Sequence, residues 1–310
     1  MTEGVKQIDM AVAAEDFLSY CRFERKLDEK TIRAYRFDLK QFTDGLGTDA
    51  KLCDVTRDYL KQWVASLSSY RYKTIKRKIA SVNAFMNYLE MEREEFNNPL
   101  RSLHVRLKPP VRLPVVMTKE EVQQILVRLD VERNAVKDDG QRFFAVRNKA
   151  IIELLFGSGM RIGELCGLRN RDVDLCRGQV RIIGKGNKER VVDICLPVIM
   201  QSLRQWVDVR KSSDGSEDGF FTSRIGRNLG PQTVRSLVRR LTNDCSIEKH
   251  VTPHTFRHTF ATLLLEENID IAYIQHILGH SSIATTQIYL HVNPYRQREI
   301  LTNHHPRSKM

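Results

Sequence analysis

His254-Thr255-Phe256-Arg257-His258 opens a stretch that runs through Leu278-Gly279-His280-Ser281-Ser282 and closes at Tyr289. His254 and Arg257 stand three residues apart, so a helix here places them on one face. His280 and Tyr289 stand nine apart, and a single unbroken helix would turn them to opposite faces. Gly279 is a natural helix terminator, and Ser281 and Ser282 are natural N-caps. The pattern therefore predicts His280 at a turn and Tyr289 on a separate short helix, free to approach the same group. These residue types suit metal-free chemistry on a phosphodiester. Arginine is a permanent cation whose fork grips two phosphate oxygens, histidine moves protons near neutral pH, and tyrosine offers an attacking hydroxyl.

Outward from this stretch, the second half of the chain supplies two more such groups. An apolar helix over Ile151–Phe156 is expected to end at Gly157 and Gly159, and Met160-Arg161-Ile162-Gly163-Glu164-Leu165 starts another. Arg161 is thereby expected in a first turn, where free backbone N–H groups already favour an anion, with Glu164 orienting its guanidinium. Val180–Ile183 and Arg190–Ile194 read as two strands joined by Gly184-Lys185-Gly186-Asn187-Lys188-Glu189, a hairpin with a glycine-flanked lysine at its tip. A swinging lysine suits proton donation to a leaving group. A helix follows near Leu203–Val209. Another over Thr233–Leu241 carries Arg235, Arg239 and Arg240, a candidate DNA-facing surface.

The first hundred residues read as a bundle of about four helices. One surrounds Phe17, Leu18 and Cys21. A second is capped by Asp28 and striped by Ile32, Tyr35, Leu39, Phe42 and Leu46. The third, after Thr56, carries Tyr59, Leu60, Trp63, Val64 and Leu67, and the fourth carries Ile75, Ile79, Val82, Met86 and Leu89. These stripes are core. Arg71, Lys73, Lys76, Arg77 and Lys78 open the fourth, largely off its apolar face. Five cations at the positive end of a helix dipole call for an anion, so this patch is read as a DNA-backbone contact. Thr74 and Tyr72 are read as adding hydrogen bonds there. Residues 1–105 thus form an N-terminal domain, and 106–117, with three prolines, an inter-domain linker. Thr118 and Glu121 form a capping box that opens a second domain over 118–310.

Composition narrows the classes. The 310 residues carry 50 Lys and Arg against 38 Asp and Glu, a formal net charge of +12. Such a basic chain suggests a polyanionic partner, nucleic acid first and an anionic membrane second. The six cysteines are scattered without a Cys-x-x-Cys pair, which argues against a disulfide framework or zinc site and fits a reducing cytosol. The polar start predicts no signal peptide, and no run is long enough to span a bilayer. His254 and His258, like His276 and His280, are four apart, yet Thr255 stands where a His-Glu-x-x-His motif needs glutamate, so no metal is assigned. His258 and His276 are read as supporting or core histidines.

The joint order of Arg161-Ile-Gly-Glu-Leu, Gly184-Lys185-Gly-Asn-Lys-Glu-Arg, His254-Thr-Phe-Arg257-His-Thr-Phe, Leu278-Gly-His280-Ser-Ser and Tyr289 resembles the tyrosine recombinases, or phage-integrase-type recombinases. The single hairpin without insertion and the ending His304-His305-Pro-Arg look like the Xer branch. The resemblance implies a mainly α fold with two parts. One is an N-terminal helical, core-binding (SAM-like) domain; the other is a C-terminal mixed α/β catalytic domain with a small antiparallel sheet, and together they clamp DNA. It implies that Tyr289 forms a 3′-phosphotyrosyl link, with His254 as general base, Arg161 and Arg257 on the phosphorane-like charge, Lys185 protonating the leaving 5′-oxygen and His280 bonding a non-bridging oxygen. No metal, ATP or other cofactor is required. It further implies a double-stranded site with inverted repeats, a Holliday junction, and a tetramer of identical chains or of this chain with a related recombinase. The tail after Tyr289 would dock on a neighbouring subunit, and the protein is expected in the cytoplasm, at the nucleoid. Activation by a DNA translocase stays open, as do dimer resolution and mobile-element integration or excision. The rivals are a type IB topoisomerase and a DNA-binding accessory protein with vestigial catalytic residues.

Overall fold

The computed structural model describes residues 7–47, 49–103, 105, 107, 114–184, 188–210 and 218–279. The chain divides into two compact units, Met1–Val111 and Arg112–Met310. The division falls inside the proline-rich stretch over 106–117.

The first unit is a helical bundle: α1 Met10–Phe23, α2 Glu29–Asp44, α3 Arg57–Ser66 and α4 Tyr72–Glu92. Local chemistry sets where these helices start. The Asp28 carboxylate accepts from the Thr31 N–H at 2.8 Å, and the Thr56 hydroxyl from the Tyr59 N–H at 3.1 Å, each satisfying a donor that the helix leaves unpaired. The apolar stripes converge on a core of Phe17, Ile32, Leu39, Phe42, Leu60, Val82, Phe85 and Leu89.

The second unit holds α5 Lys119–Ala135, α6 Asp139–Ser158, α7 Ile162–Cys166, a three-stranded antiparallel sheet, α8 Pro197–Arg210, α9 Pro231–Asp244, α10 Pro253–Glu266 and α11 Ile271–Leu278. The capping box of Thr118 and Glu121 is formed, with bonds of 2.7 and 3.2 Å. Met117, just before it, is buried in this unit's core and donates its N–H to the Thr259 hydroxyl at 2.9 Å. The sheet has the order β1 Val173–Asp174, β2 Gln179–Ile183, β3 Glu189–Asp193. The β2–β3 hairpin is the one read from sequence; β1 is an added strand of two residues, too short to leave a periodic signal. Val180 pairs with Val192 and Ile182 with Arg190, so these positions face the same side of the sheet.

α6 is the central element. Ile151, Ile152, Leu154 and Leu155 are all buried, with Leu203 and Trp206 of α8 and with Phe220 and Phe221 in the same core. The Trp206 indole N–H donates to the Phe220 carbonyl at 2.9 Å, which satisfies the ring's polar end in an apolar setting.

Two local expectations are corrected here, and a further break in the second unit is new. The helix containing Ile151 begins twelve residues earlier, at Asp139, and passes through Gly157 to end only at Gly159. A helix-interior glycine costs about 1 kcal/mol relative to alanine, but a methyl at Gly157 would sit 2.2 Å from Ile199 Cδ1, so its absence lets α8 pack closely. Arg161 is the N-cap of α7 and not a first-turn residue. The apolar segment between Arg257 and Gly279 is two helices, broken where Asn268 adopts a left-handed φ of 64°. Among the described residues, no helix is long and apolar enough to cross a membrane.

Candidate active site

The site forms where α7, α10, β3 and the end of α11 meet. α6 terminates at Gly159 with φ of 59°, a left-handed conformation that favours glycine. A side chain there would also strike Phe260 and Leu278, at 2.6 and 2.8 Å from the added carbon. The close approach brings the Gly159 carbonyl to Arg257, whose Nη1 donates to it at 2.8 Å.

Arg257 lies on α10, whose start is set by Thr252 as N-cap and Pro253 in the first turn. Its side chain is buried, and its Nη2 donates to the Leu278 carbonyl at 2.8 Å. Arg161 Nη2 reaches the Gly279 carbonyl at 3.5 Å. Arg190 Nε donates to the Ile277 carbonyl at 3.0 Å. Three arginines thus meet three successive carbonyls at the C-terminal end of α11. Those carbonyls have no partner within the helix, and the negative end of its dipole favours cations.

Glu164 ties two of these arginines together. Its Oε1 accepts from Arg161 Nη1 at 2.8 Å and Arg190 Nη1 at 3.0 Å; its Oε2 accepts from the Arg161 backbone N–H at 2.8 Å and Arg190 Nη2 at 2.7 Å. Burial alone would raise this carboxyl, but Arg190, the Arg161 backbone N–H and then the Arg161 guanidinium outweigh it and hold the pKa at about 2. A carboxyl depressed in the fold stabilises it above the unfolded value and loses that contribution as pH falls through the folded one. For Glu164 the window runs from about pH 4.5 down to about pH 2, and the full contribution is on the order of 3 kcal/mol. Urea unfolding should therefore show the wild type losing about 2 kcal/mol more than Glu164→Gln between pH 5 and pH 3. Equal losses in the two proteins would mean that this carboxyl is not depressed.

His254 sits in the first turn of α10 with its surface partly open to solvent. Burial of part of the ring, then the charges of Arg257, Arg161 and Arg235, push its pKa below the usual histidine value. The ring is therefore neutral at physiological pH and able to accept a proton. His258, one turn on, is half-buried; His276 is exposed on α11, which overturns its reading as a core histidine. Lys185, His280 and Tyr289 lie outside the described residues. Among the described residues, no group of three or more histidine, cysteine or acidic side chains is placed to hold a metal ion.

Arg235, Arg239 and Arg240 on α9 are all exposed, and Arg235 lies on the side that influences His254. Arg240 turns to the other side, where it pairs with Glu132 of α5 at 3.0 Å and with Asp244 at 3.1 Å. At the start of α4, Arg71, Lys73 and Lys76 are exposed, with Thr74 and Tyr72 half-buried between them. Arg71 is the N-cap and offers no side-chain acceptor, and no acid occupies the first turn, so this helix start stays strongly positive.

Lys78 corrects the sequence reading. It is 3% exposed, and its ammonium bonds Asp38 at 3.4 Å and the Gln41 side chain, between the rings of Phe37 and Tyr70. A buried ammonium needs a buried counter-charge, and Asp38, itself 2% exposed, supplies it. Lys78 is thus part of the bundle's interior and is withheld from DNA. Arg77 shares the same carboxylate while keeping part of its side chain exposed.

Arg190 was missed as a site residue. Its signal was a cation on the inward face of a strand, opposite Ile182, which is 0% exposed. A charge at such a position requires a buried partner.

Comparison with known proteins follows the same two units. The phage integrase family matches residues 115–296, and the phage integrase N-terminal SAM-like domain matches residues 14–93. A tyrosine recombinase of Agathobacter rectalis is 40% identical over 292 residues, covering 94% of this chain and 95% of that protein. Tyrosine recombinase XerD of Halalkalibacterium halodurans is 35% identical over 303 residues, covering 95% and 97%. Among solved structures, the XerH site-specific recombinase bound to its difH substrate, in a pre-cleavage complex, superposes with a TM-score of 0.72 at 22% identity, covering 94% of this chain and 84% of that one.

Proposed function

This chain belongs to the phage integrase family of tyrosine recombinases, and on that footing we propose that it cleaves and rejoins DNA site-specifically through a 3′-phosphotyrosyl intermediate. The observation that carries the reading is the convergence of Arg161 and Arg257 on the Gly279 and Leu278 carbonyls, immediately before His280, with His254 within reach of both charges.

In the proposed reaction the Tyr289 hydroxyl attacks the scissile phosphorus. A Tyr289 Oη–P bond forms and the P–O5′ bond breaks. Unperturbed tyrosine has a pKa of ~10, so the attack needs a base. Neutral His254 takes the proton, and Lys185 returns one to the departing 5′-oxygen. Arg161 and Arg257 bear on the equatorial oxygens, where charge builds in the transition state, and His280 bonds a non-bridging oxygen. One phosphoester replaces another of similar energy, so the residues supply the whole reaction without an external energy source. A 5′-hydroxyl from a second duplex then reverses the step on the other partner, first making and then resolving a Holliday junction.

The proposed organisation is a core-binding domain over 1–105, a linker over 106–117 and a catalytic domain over 118–310. The segment after Tyr289 would dock on a neighbouring subunit of a tetramer assembled on an inverted-repeat site. The tetramer is either of one chain or shared with a related recombinase.

Incubating the protein with fragmented and supercoiled host DNA, denaturing, and sequencing DNA covalently bound to protein tests this directly. Adducts at one recurring inverted-repeat sequence support it; adducts spread over many sequences would favour a topoisomerase.

The exposed start of α4 gives a second expectation. Replacing Arg71, Lys73 and Lys76 with glutamine should flatten the plot of log binding constant against log salt by about 2 to 3, near 0.9 for each phosphate no longer neutralised. An unchanged slope would make the patch ordinary solvated surface.

A further inference from the structure

We propose that Arg190 is a positioning residue for DNA cleavage. With Glu164 it locks the orientation of Arg161, and through the Ile277 carbonyl it fixes the end of α11 from which the chain enters His280 and Tyr289. The inference rests on the recombinase reading of this site.

Arg190 sits on β3 with its side chain 11% exposed, so little of its charge is given over to water. Its guanidinium presents two nitrogens to the two oxygens of Glu164 and the third to Ile277, a division of labour that only a planar fork allows. These bonds complete the acceptor capacity of Glu164: each oxygen takes one hydrogen bond from Arg161 and one from Arg190. A carboxylate held from both sides has no freedom to rotate, and neither has the Arg161 group bonded to it.

Charge balance gives the same residue a second effect. One carboxylate between two arginines leaves a local excess of one positive charge. With Arg190 removed, Glu164 would pair with Arg161 alone and cancel the charge meant for the phosphate. The chain leaving α11 is also packed on this side chain, since a carbon added at Gly279 would lie 3.0 Å from Arg190 Cδ. β3 therefore connects the hairpin that carries Lys185 to both Arg161 and the segment leading to the nucleophile.

The test uses single-turnover adduct formation at saturating DNA, on a nicked site from which the 5′-hydroxyl fragment diffuses away. Rates are normalised to the titrated active fraction. Arg190→Ala and Arg190→Lys should both cleave slower by on the order of 10²-fold, the effect of misplacing a catalytic group by about 1 Å. DNA affinity should stay within about twofold of wild type. Glu164→Gln combined with Arg190→Ala should cost no more than the worse single change, because the two act as one unit. Independently of activity, amide hydrogen exchange in the last turn of α11 should quicken in Arg190→Ala at temperatures where the protein remains folded.

A wild-type rate in Arg190→Lys overturns the proposal. So does unchanged exchange in α11, or a rate loss fully accounted for by weaker DNA binding or a smaller folded fraction. If the wild type itself forms no Tyr289-dependent adduct, the recombinase reading fails, and the exchange experiment alone decides whether Arg190 anchors α11.

Discussion

Tyr289→Phe is expected to bind its DNA site with wild-type affinity and to form no covalent adduct. The substitution removes one oxygen and keeps the ring, so packing changes little while the attacking group is lost. An adduct through serine would link the same phosphate, but by a different residue that peptide mapping identifies. Denaturing electrophoresis of protein on end-labelled DNA, with wild type alongside, measures the outcome. Adducts that persist in Tyr289→Phe would assign the nucleophile elsewhere. Loss of adduct together with loss of binding would instead mean that the hydroxyl helps to hold the DNA.

Arg257→Ala carries the second large effect: a fall in the cleavage rate of about 10²–10³-fold, typical of removing one group that stabilises transition-state charge. The structure adds a complication that sequence does not reveal. Arg257 is 3% exposed and donates to the carbonyls of both Gly159 and Leu278. Each buried carbonyl left without a partner costs about 1–3 kcal/mol, so alanine should also lower stability. Arg257→Lys separates the two effects, since an ammonium keeps the charge and one of the bonds but loses the fork. Urea unfolding gives the stability loss and active-fraction-normalised cleavage gives the chemical one. A normal rate in the folded fraction of Arg257→Ala would remove Arg257 from the chemistry and leave it as the pin between α6 and α11, whereas a normal rate in Arg257→Lys alone would mean that the charge suffices without the fork.

Much of the fold is legible where local chemistry decides it. Asp28, Thr56 and Thr118 each precede an apolar stripe, and each caps the helix it announces. The β-type runs over Val180–Ile183 and Arg190–Ile194, on either side of a glycine-containing turn, mark the hairpin. Helix ends are less legible. Gly157 reads as a terminator by propensity, yet packing against Ile199 keeps the helix going to Gly159. Two buried charges escape a local reading for a related reason. Lys78 finds Asp38 forty residues away and Arg190 finds Glu164 twenty-six residues away, so neither partner is visible within the window that defines a stripe or a strand.

Residue order alone settles the family, the helical start and the hairpin, and which residue types stand ready for phosphodiester chemistry. Caps, periodicity and motif order act over a few residues, and this information is local. Which cations are free to meet DNA, and which are committed to the interior, is settled by long-range packing. It withdraws Lys78 into the first unit's core, gives Arg240 to Glu132, and brings Arg161, Arg190 and Arg257 to three neighbouring carbonyls of α11. For Lys78, Arg190 and Arg257 the outcome depends on the desolvation of a charge, and that is fixed by which distant segments fold over it.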